Sequence, residues 1–404
     1  MSRPTVLFHC QASIGLGHVV RAFSVAGALA ERFDVVLLTG ARLPRGVPVP
    51  PGVRIVSLPP MGTTAGGGLV SLDRRRSVER ALELRRAAIL ALQDEIRPDV
   101  VLVAPFPFGQ EEFGDELMAL LDAARAAGAL TLCSVRDILG GPRPDQERYD
   151  ARASVTANEM LDAVLVHADS AFARLDDSFR PATPLRVPVY HTGFVLPRGD
   201  DLAALAPFPR PRERPRVVVS AGGGRHGGDL MRAAVEAHRL KLADAGIDVR
   251  LVAGPFLPDA EWRALRDAAR GRPGLDVRRT VPDMRAELGT AAASVSHAGY
   301  STVLDVVYAG VPALLVPCGS GPDSEQARRA NRLNRMGALR VLDPARLDGA
   351  TLAAEIQAVL SFHPEPAELA LDGARKTALI VGNLLARASA PAPGGERTLH
   401  AVRS

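Results

Sequence analysis

The chain of 404 residues is poor in cysteine, nearly without lysine, and holds no long apolar run. Its three cysteines, Cys10, Cys133 and Cys318, stand far apart in apolar segments, without CxxC or Cys/His spacing. That argues against a disulfide framework and a zinc site, and reads as three reduced core residues. No stretch approaches the roughly 20 apolar residues of a membrane span. The first apolar stretch, Val6 to Cys10, is too short for a signal-peptide core, so a cytoplasmic location is expected. Lysine occurs only at 241 and 376, so the net charge of +4 and the pI near 9.3 rest on arginine. Such a bias fits GC-rich codon usage, and no nucleic-acid partner is expected. Arg74 to Arg76 and Arg85-Arg86 alternate with Glu79, Glu83 and leucine, which reads as a solvated helix face; a membrane-surface or anionic-acceptor patch is the other reading. An Asp-x-Asp motif beside a strand end is also missing. Asp176-Asp177, in Arg174-Leu-Asp-Asp-Ser178, reads as a helix surface or cap, so neither a metal nor a cofactor is expected.

With 47% apolar residues and a mean hydropathy of +0.06, the chain has material for two cores of ordinary domain size. The first half alternates β-rich runs with helical patterns: Thr5 to Cys10, Val35 to Thr39, Arg54 to Leu58, Val100 to Ala104, Leu130 to Val135 and Ala163 to His167. Such alternation predicts a parallel sheet covered by helices. A proline-rich stretch, with Pro207, Pro209, Pro211 and Pro215, interrupts it. A second series follows at Arg216 to Ser220, Val249 to Ala253, Val277 to Thr280, Ala293 to Ser296 and Ala313 to Pro317. The expected division is an acceptor-side domain over 1–200, a linker over 201–215, a ligand-binding domain over 216–389 and a disordered tail over 390–404. Two α/β, doubly wound, Rossmann-like domains facing a cleft would line it with the loops that follow their strands.

Three segments carry chemistry. The first loop, Gln11-Ala-Ser-Ile-Gly15-Leu-Gly17-His18-Val-Val-Arg21, puts two glycines and a histidine where a strand turns into a helix. Backbone amides there suit a phosphate or a sugar oxygen. A dinucleotide fingerprint would need glycine at position 20, which is Val, and an acidic end to the second strand, where Leu38-Thr39-Gly40 stands, so a Rossmann oxidoreductase is disfavoured. The second half opens with Ser220-Ala-Gly222-Gly223-Gly224 before a helix, either a diphosphate loop or a plain turn. The third segment, Val295-Ser-His297-Ala-Gly299-Tyr-Ser301-Thr302-Val-Leu-Asp305, is followed by Ala309-Gly-Val-Pro-Ala313 and Glu325-Gln326. It signals strand, turn, helix, turn and strand. Gly299 permits close approach of a ligand, Ser301 and Thr302 offer hydroxyls and amides at the helix start, and Asp305 lies one turn further on the same side.

This third segment resembles the donor-binding signature of GT-B glycosyltransferases, above all family 28. The resemblance is nearest to bacterial relatives of the peptidoglycan lipid-intermediate N-acetylglucosaminyltransferase and runs from Phe8 to about Asp343. It includes Pro105-Phe-Pro-Phe-Gly109, Ser134-Val-Arg136-Asp137-Ile138 and His191-Thr-Gly193. It implies a GT-B fold and an inverting, metal-independent transferase of hexosyl or N-acetylhexosaminyl type, using a UDP- or dTDP-sugar. Carried over residue by residue, it implies that Val281 meets the nucleobase through its backbone and that Asp305 holds the ribose hydroxyls. His297, Gly299, Ser301 and Thr302, with Gly222, Gly223 and Gly224, would bind the diphosphate, and Glu325 and Gln326 the transferred sugar. Two departures stand out: family members often carry Glu where Asp305 stands, and an arginine is missing after the turn at Gly193-Phe-Val-Leu196. Arg198 and Arg225 are the alternatives for neutralising phosphate.

The acceptor, whether lipid, glycan or small natural product, has no recognisable code; Pro59 to Arg75 reads as a mobile loop beside it, and peripheral membrane contact is an open option. Gly15, Gly17, Arg136 and Asp137 are expected on the acceptor side, the last two either for binding or as a buried structural ion pair. His18 is the first choice for general base, with a phosphate or acceptor contact and a purely structural cap as the alternatives. The rival functions are a nucleotide-sugar hydrolase of the same fold and a non-catalytic nucleotide-sugar-binding regulator.

Overall fold

A computed structural model describes residues 3–11, 16–40, 49–63, 68–140, 143–196, 214–318 and 324–389. Most of the expected linker, the tail from 390, and Gly15 and Arg198 therefore lie outside the described residues.

The first half contains strands β1 (Thr5–Cys10), β2 (Asp34–Thr39), β3 (Val53–Ser57), β4 (Met61–Thr63), β5 (Leu69–Ser71), β6 (Val100–Ala104), β7 (Leu130–Arg136), β8 (Ala163–His167) and β9 (Val189–His191). Its helices are α1 (Leu16–Ala30), α2 (Val78–Ile96), α3 (Gly114–Ala126) and α4 (Gln146–Met160). Seven strands form one parallel sheet in the order β3-β2-β1-β6-β7-β8-β9. Helices on both faces bury β1, β6 and β8 almost completely, which is why those strands read as unbroken apolar runs. The region expected to be a loop after β3 instead contains the antiparallel pair β4–β5, Met61 opposite Ser71.

The second half repeats the plan with β10 (Arg216–Ser220), β11 (Asp248–Val252), β12 (Leu275–Arg278), β13 (Ala293–Ser296), β14 (Ala313–Leu315) and β15 (Arg340–Val341). Its parallel order is β12-β11-β10-β13-β14-β15. The helices are α5 (Gly228–Ala237), α6 (Asp259–Ala269), α7 (Met284–Leu288), α8 (Tyr300–Ala309), α9 (Glu325–Arg335), α10 (Gly349–Leu360) and α11 (Gly373–Ser389). In both sheets the strand order reverses beside the first strand, between β1 and β6 and between β10 and β13. There the loops leaving the carboxyl ends diverge and open a crevice.

Two features depart from the sequence expectation. Arg85 of α2 is not on a solvated face: it is fully buried, donates to both Glu116 oxygens at 2.9 and 2.5 Å, and lies over the Phe113 ring. A buried carboxylate partner is what permits a buried guanidinium, and α3 supplies it. The last helix, α11, follows the second half in the chain but packs on the first. Ala374, Ala378 and Val381 share one core with Val19, Phe23 and Ala26 of α1. The return is stitched by Phe194 N to Ala370 O at 2.7 Å and Gly373 N to Phe194 O at 2.9 Å.

Candidate active site between the two halves

Strand β13 leads directly into His297-Ala-Gly299, and Gly299 caps α8 with φ −64° and ψ 147°. A glycine cap brings no side-chain oxygen to the first-turn amides, so these N–H groups and the positive end of the helix dipole remain for a ligand. Two further turns press on this one. A Cβ on Gly222 would lie 3.2 Å from Thr302 Oγ1, and one on Gly17 would lie 3.6 Å from Ser301 Oγ. Behind Gly222, the backbone at Gly224 and Gly254 is left-handed, with φ of 89° and 90°. A Cβ on Gly254 would come within 2.5 Å of Gly222 O, Gly223 C and Gly224 N, so backbone packs directly on backbone. The expected residues Gly222, Gly223, Gly224, Gly299, Ser301 and Thr302 thus converge, and Gly17 joins them from the first half.

His297 stands at the edge of this cradle. Its Nδ1 is 2.8 Å from Val316 O and must donate to that carbonyl, while its buried Nε2 has no hydrogen-bond partner among the described residues. Burial, outweighing the backbone contacts with Val316 and His226, lowers its pKa and keeps the ring neutral; with the proton on Nδ1, Nε2 holds the lone pair. Val281 precedes α7, whose cap Asp283 accepts from Arg285 N at 2.9 Å. The Arg285 guanidinium then reaches α8, donating from Nε to Asp305 Oδ1 at 3.2 Å and lying over Tyr308. The segment that follows Val281, expected at the base, is therefore tied through Arg285 to Asp305, expected at the ribose.

Charged side chains of β7 and α9 meet across the cleft. Arg136 holds Glu325 with contacts of 2.9 and 2.5 Å, each side chain about one-fifth to one-quarter exposed. Asp137 accepts two hydrogen bonds from Arg329, both 2.7 Å, and Arg329 also donates to Ala298 O at 2.7 Å. Asp137 and Arg329 are both about 1% exposed, so Asp137 is a buried structural partner and not a ligand-facing group. Gln326 Oε1 accepts from Cys318 N at 3.0 Å. Between these pairs the Tyr300 hydroxyl donates to His167 O and accepts from Val195 N, both at 2.9 Å. Arg332 adds a contact to Asp177, which also accepts from Arg174 N in the capping role expected of it.

His18 lies within the first turn of α1, half-buried. Its Nδ1 is 3.3 Å from an Arg21 nitrogen, and Arg21, only 4% exposed, lies with its guanidinium 5.4 Å from the Tyr300 ring centre. No carboxylate among the described residues pairs with Arg21. Burial, then Arg21 and Arg136, hold the His18 imidazole well below its ordinary pKa. Arg225, the alternative for neutralising phosphate, is exposed.

The sequence and the fold are matched by known proteins. The profile of the glycosyltransferase family 28 C-terminal domain matches residues 218–380. Over 368 residues the chain is 27% identical to the UDP-N-acetylglucosamine–N-acetylmuramyl-(pentapeptide) pyrophosphoryl-undecaprenol N-acetylglucosamine transferase of Solidesulfovibrio magneticus, covering 87% of this chain and 88% of that one. Among solved structures, Acinetobacter baumannii MurG superimposes with a TM-score of 0.55 at 18% identity, over 95% and 99% of the two chains. The calicheamicin glycosyltransferase CalG4 superimposes with a TM-score of 0.58 at 17% identity, over 97% and 96%. This chain is a glycosyltransferase of the GT-B fold, and it resembles family 28.

In this glycosyltransferase, four residues without an assigned role in the sequence reading shape the cleft: Arg21, Arg285, Tyr300 and Arg329. Two carried a local signal. Arg21 is three residues after His18, and Arg329 four after Glu325, spacings that share a helix face. Arg285 and Tyr300 find partners only through the fold.

Proposed function

We propose that this glycosyltransferase moves a hexosyl or N-acetylhexosaminyl group from a UDP- or dTDP-sugar to an acceptor hydroxyl, in one displacement with inversion and without a metal ion. The observation that carries the reading is the meeting of three glycine turns at the open start of α8, with a histidine and an arginine from the opposite half beside them. As the bond to the diphosphate breaks, negative charge grows on the leaving oxygens, and oriented amides, hydroxyls and cations are what stabilise it. In this reading Val281 and Asp305 take the nucleoside. Glu325 and Gln326 take the sugar, with Arg136 holding Glu325 until the donor arrives. Gly17 and Arg136 border the acceptor.

The name of the Solidesulfovibrio relative gives UDP-N-acetylglucosamine as donor and a pyrophosphoryl-undecaprenol acceptor, which supports uridine and a lipid-linked acceptor over the other options. No described helix is long and apolar enough to cross a membrane; we place the reaction in the cytoplasm, with a peripheral membrane contact if the acceptor is a lipid.

Calorimetry with UDP, dTDP, GDP and their sugars tests the reading. Micromolar binding of one diphosphate is expected, weakened on the order of tenfold or more in Asp305→Asn. No binding by any nucleotide to folded protein would remove the transferase reading. Donor cleavage without any acceptor dependence would replace it with a hydrolase.

A further inference from the structure

The sequence leaves open what His18 does, and the structure bears on it through Arg21. A guanidinium has only N–H groups to offer. With an Arg21 nitrogen 3.3 Å from His18 Nδ1, that ring nitrogen can only present its lone pair, so the proton of the neutral imidazole sits on Nε2. For Nε2 to take a proton from an acceptor, the proton on the ring would first have to move to Nδ1, where it would face an Arg21 N–H. The product would be an imidazolium beside a guanidinium.

The rest of the surroundings gives that imidazolium no relief. From α1 itself comes Arg21, from β7 Arg136, from α8 the Tyr300 phenol, whose pKa burial raises, and from β1 the Cys10 thiol, 3.8 Å from His18 O. The nearby carboxylates are already engaged, Asp137 with Arg329 and Glu325 with Arg136. Among the described residues, three guanidiniums stand against two carboxylates, and Arg21 is the buried one with no carboxylate paired to it. Such a cluster suits an arriving anion. The preceding residue, Gly17, abuts Ser301 at the start of α8, where the proposed function puts the diphosphate.

Resting on that reading, we propose that Arg21 is a positioning residue that fixes His18 with its proton on Nε2, so that His18 acts as a neutral hydrogen-bond donor to the departing diphosphate and not as the base for the acceptor. The acceptor oxygen forms its bond to the anomeric carbon while the carbon–oxygen bond to the diphosphate breaks. The bonding pair leaves with the diphosphate, which His18 steadies by its N–H, and the acceptor proton passes to solvent.

Two measurements test this. Nitrogen NMR of ¹⁵N-histidine-labelled protein reads the tautomer directly. His18 is expected as the neutral Nε2–H form through the pH range in which an ordinary histidine titrates; in Arg21→Met the two tautomers should mix and the titration should move up toward ordinary histidine. A proton on Nδ1 in the wild type, or an imidazolium above pH 6.5, overturns the proposal. Kinetics supply the second readout. His18→Gln can donate a hydrogen bond but cannot act as a base, and is expected within about tenfold of wild-type kcat, whereas His18→Ala should lose on the order of 10²- to 10³-fold. Equal loss in both variants returns His18 to the role of base. The NMR result needs no turnover, so failure of nucleotide binding would sink the transferase reading without deciding the tautomer.

Discussion

Two histidines, one from each half, stand beyond the carboxyl ends of β1 and β13 and are prepared for opposite tasks. His18 has its Nδ1 against the donor Arg21, so its Nε2 carries a proton; His297 has its Nδ1 against the Val316 carbonyl, so its Nε2 carries a lone pair. Their surroundings differ in the same sense. In the second half the cradle is backbone on backbone, with Gly254 pressed on the turn Gly222 to Gly224. The first half contributes long charged side chains, Arg21 and Arg136, that reach toward its partner. One half therefore presents a backbone frame at the crevice, and the other presents side chains. A backbone cradle tolerates little change, because any side chain added there must displace main chain, whereas a charged side chain can be exchanged within a fixed frame.

The comparison breaks most severely at the buried pair that fastens the halves. Arg329→Ala leaves Asp137 about 1% exposed and without its bidentate partner, and strips Ala298 O of a donor beside Gly299. Loss of one member of a buried pair destabilises by about 3–5 kcal/mol. Urea unfolding should show that loss, with weakened nucleotide binding, because Ala298 sits in the turn before α8. A change below about 1 kcal/mol would mean the halves are held by other contacts.

The glycine cradle of the second half is the next place to press. Gly254→Ala adds a Cβ at φ 90°, within 2.5 Å of three backbone atoms of the facing turn. The strained backbone and the overlap together are expected to destabilise by about 2–4 kcal/mol. Nucleoside diphosphate affinity should fall with it, while the protonation of His18, which depends on the other half, stays where it was. A variant that binds diphosphate normally would show that the turn does not shape the phosphate site.

How much of this was legible beforehand depends on whether the deciding contact was local. Strands such as β6, β8 and β10 read to the residue, because each holds an apolar run bounded by polar residues, proline or glycine and is buried on both faces. The segment from His297 to Asp305 was readable because strand, turn and helix start lie within a dozen residues. The three-residue β9 and the two-residue β15 were too short to show a period. The hairpin β4–β5, with its glycines, looked like a loop. Asp137 and Arg329 are separated by 192 residues, and nothing in either neighbourhood names the other. The return of α11 onto α1 was hidden for the same reason: an amphipathic helix announces a buried face, not which half covers it.

The smallest expected effect sharpens the comparison most, because it changes one interaction type in one place. Arg136 and Asp137 are neighbours on one side of the cleft, and Glu325 and Arg329 are one helical turn apart on the other, so the two ion pairs share the same two segments. They differ in water: the Arg136–Glu325 pair is 24% and 20% exposed. Solvent screens such a pair, and its share of stability is about 0–1 kcal/mol. Glu325→Gln should therefore barely move the unfolding midpoint, in contrast to Arg329→Ala. If Glu325 meets the transferred sugar, the same variant should bind a nucleotide sugar roughly 3- to 10-fold more weakly, the loss of one charge-assisted hydrogen bond, while the free diphosphate binds as before. Equal weakening of both ligands would place Glu325 at the phosphates instead. No change in either would make the pair a clasp between the halves and nothing more, with the sugar held from another wall of the cleft.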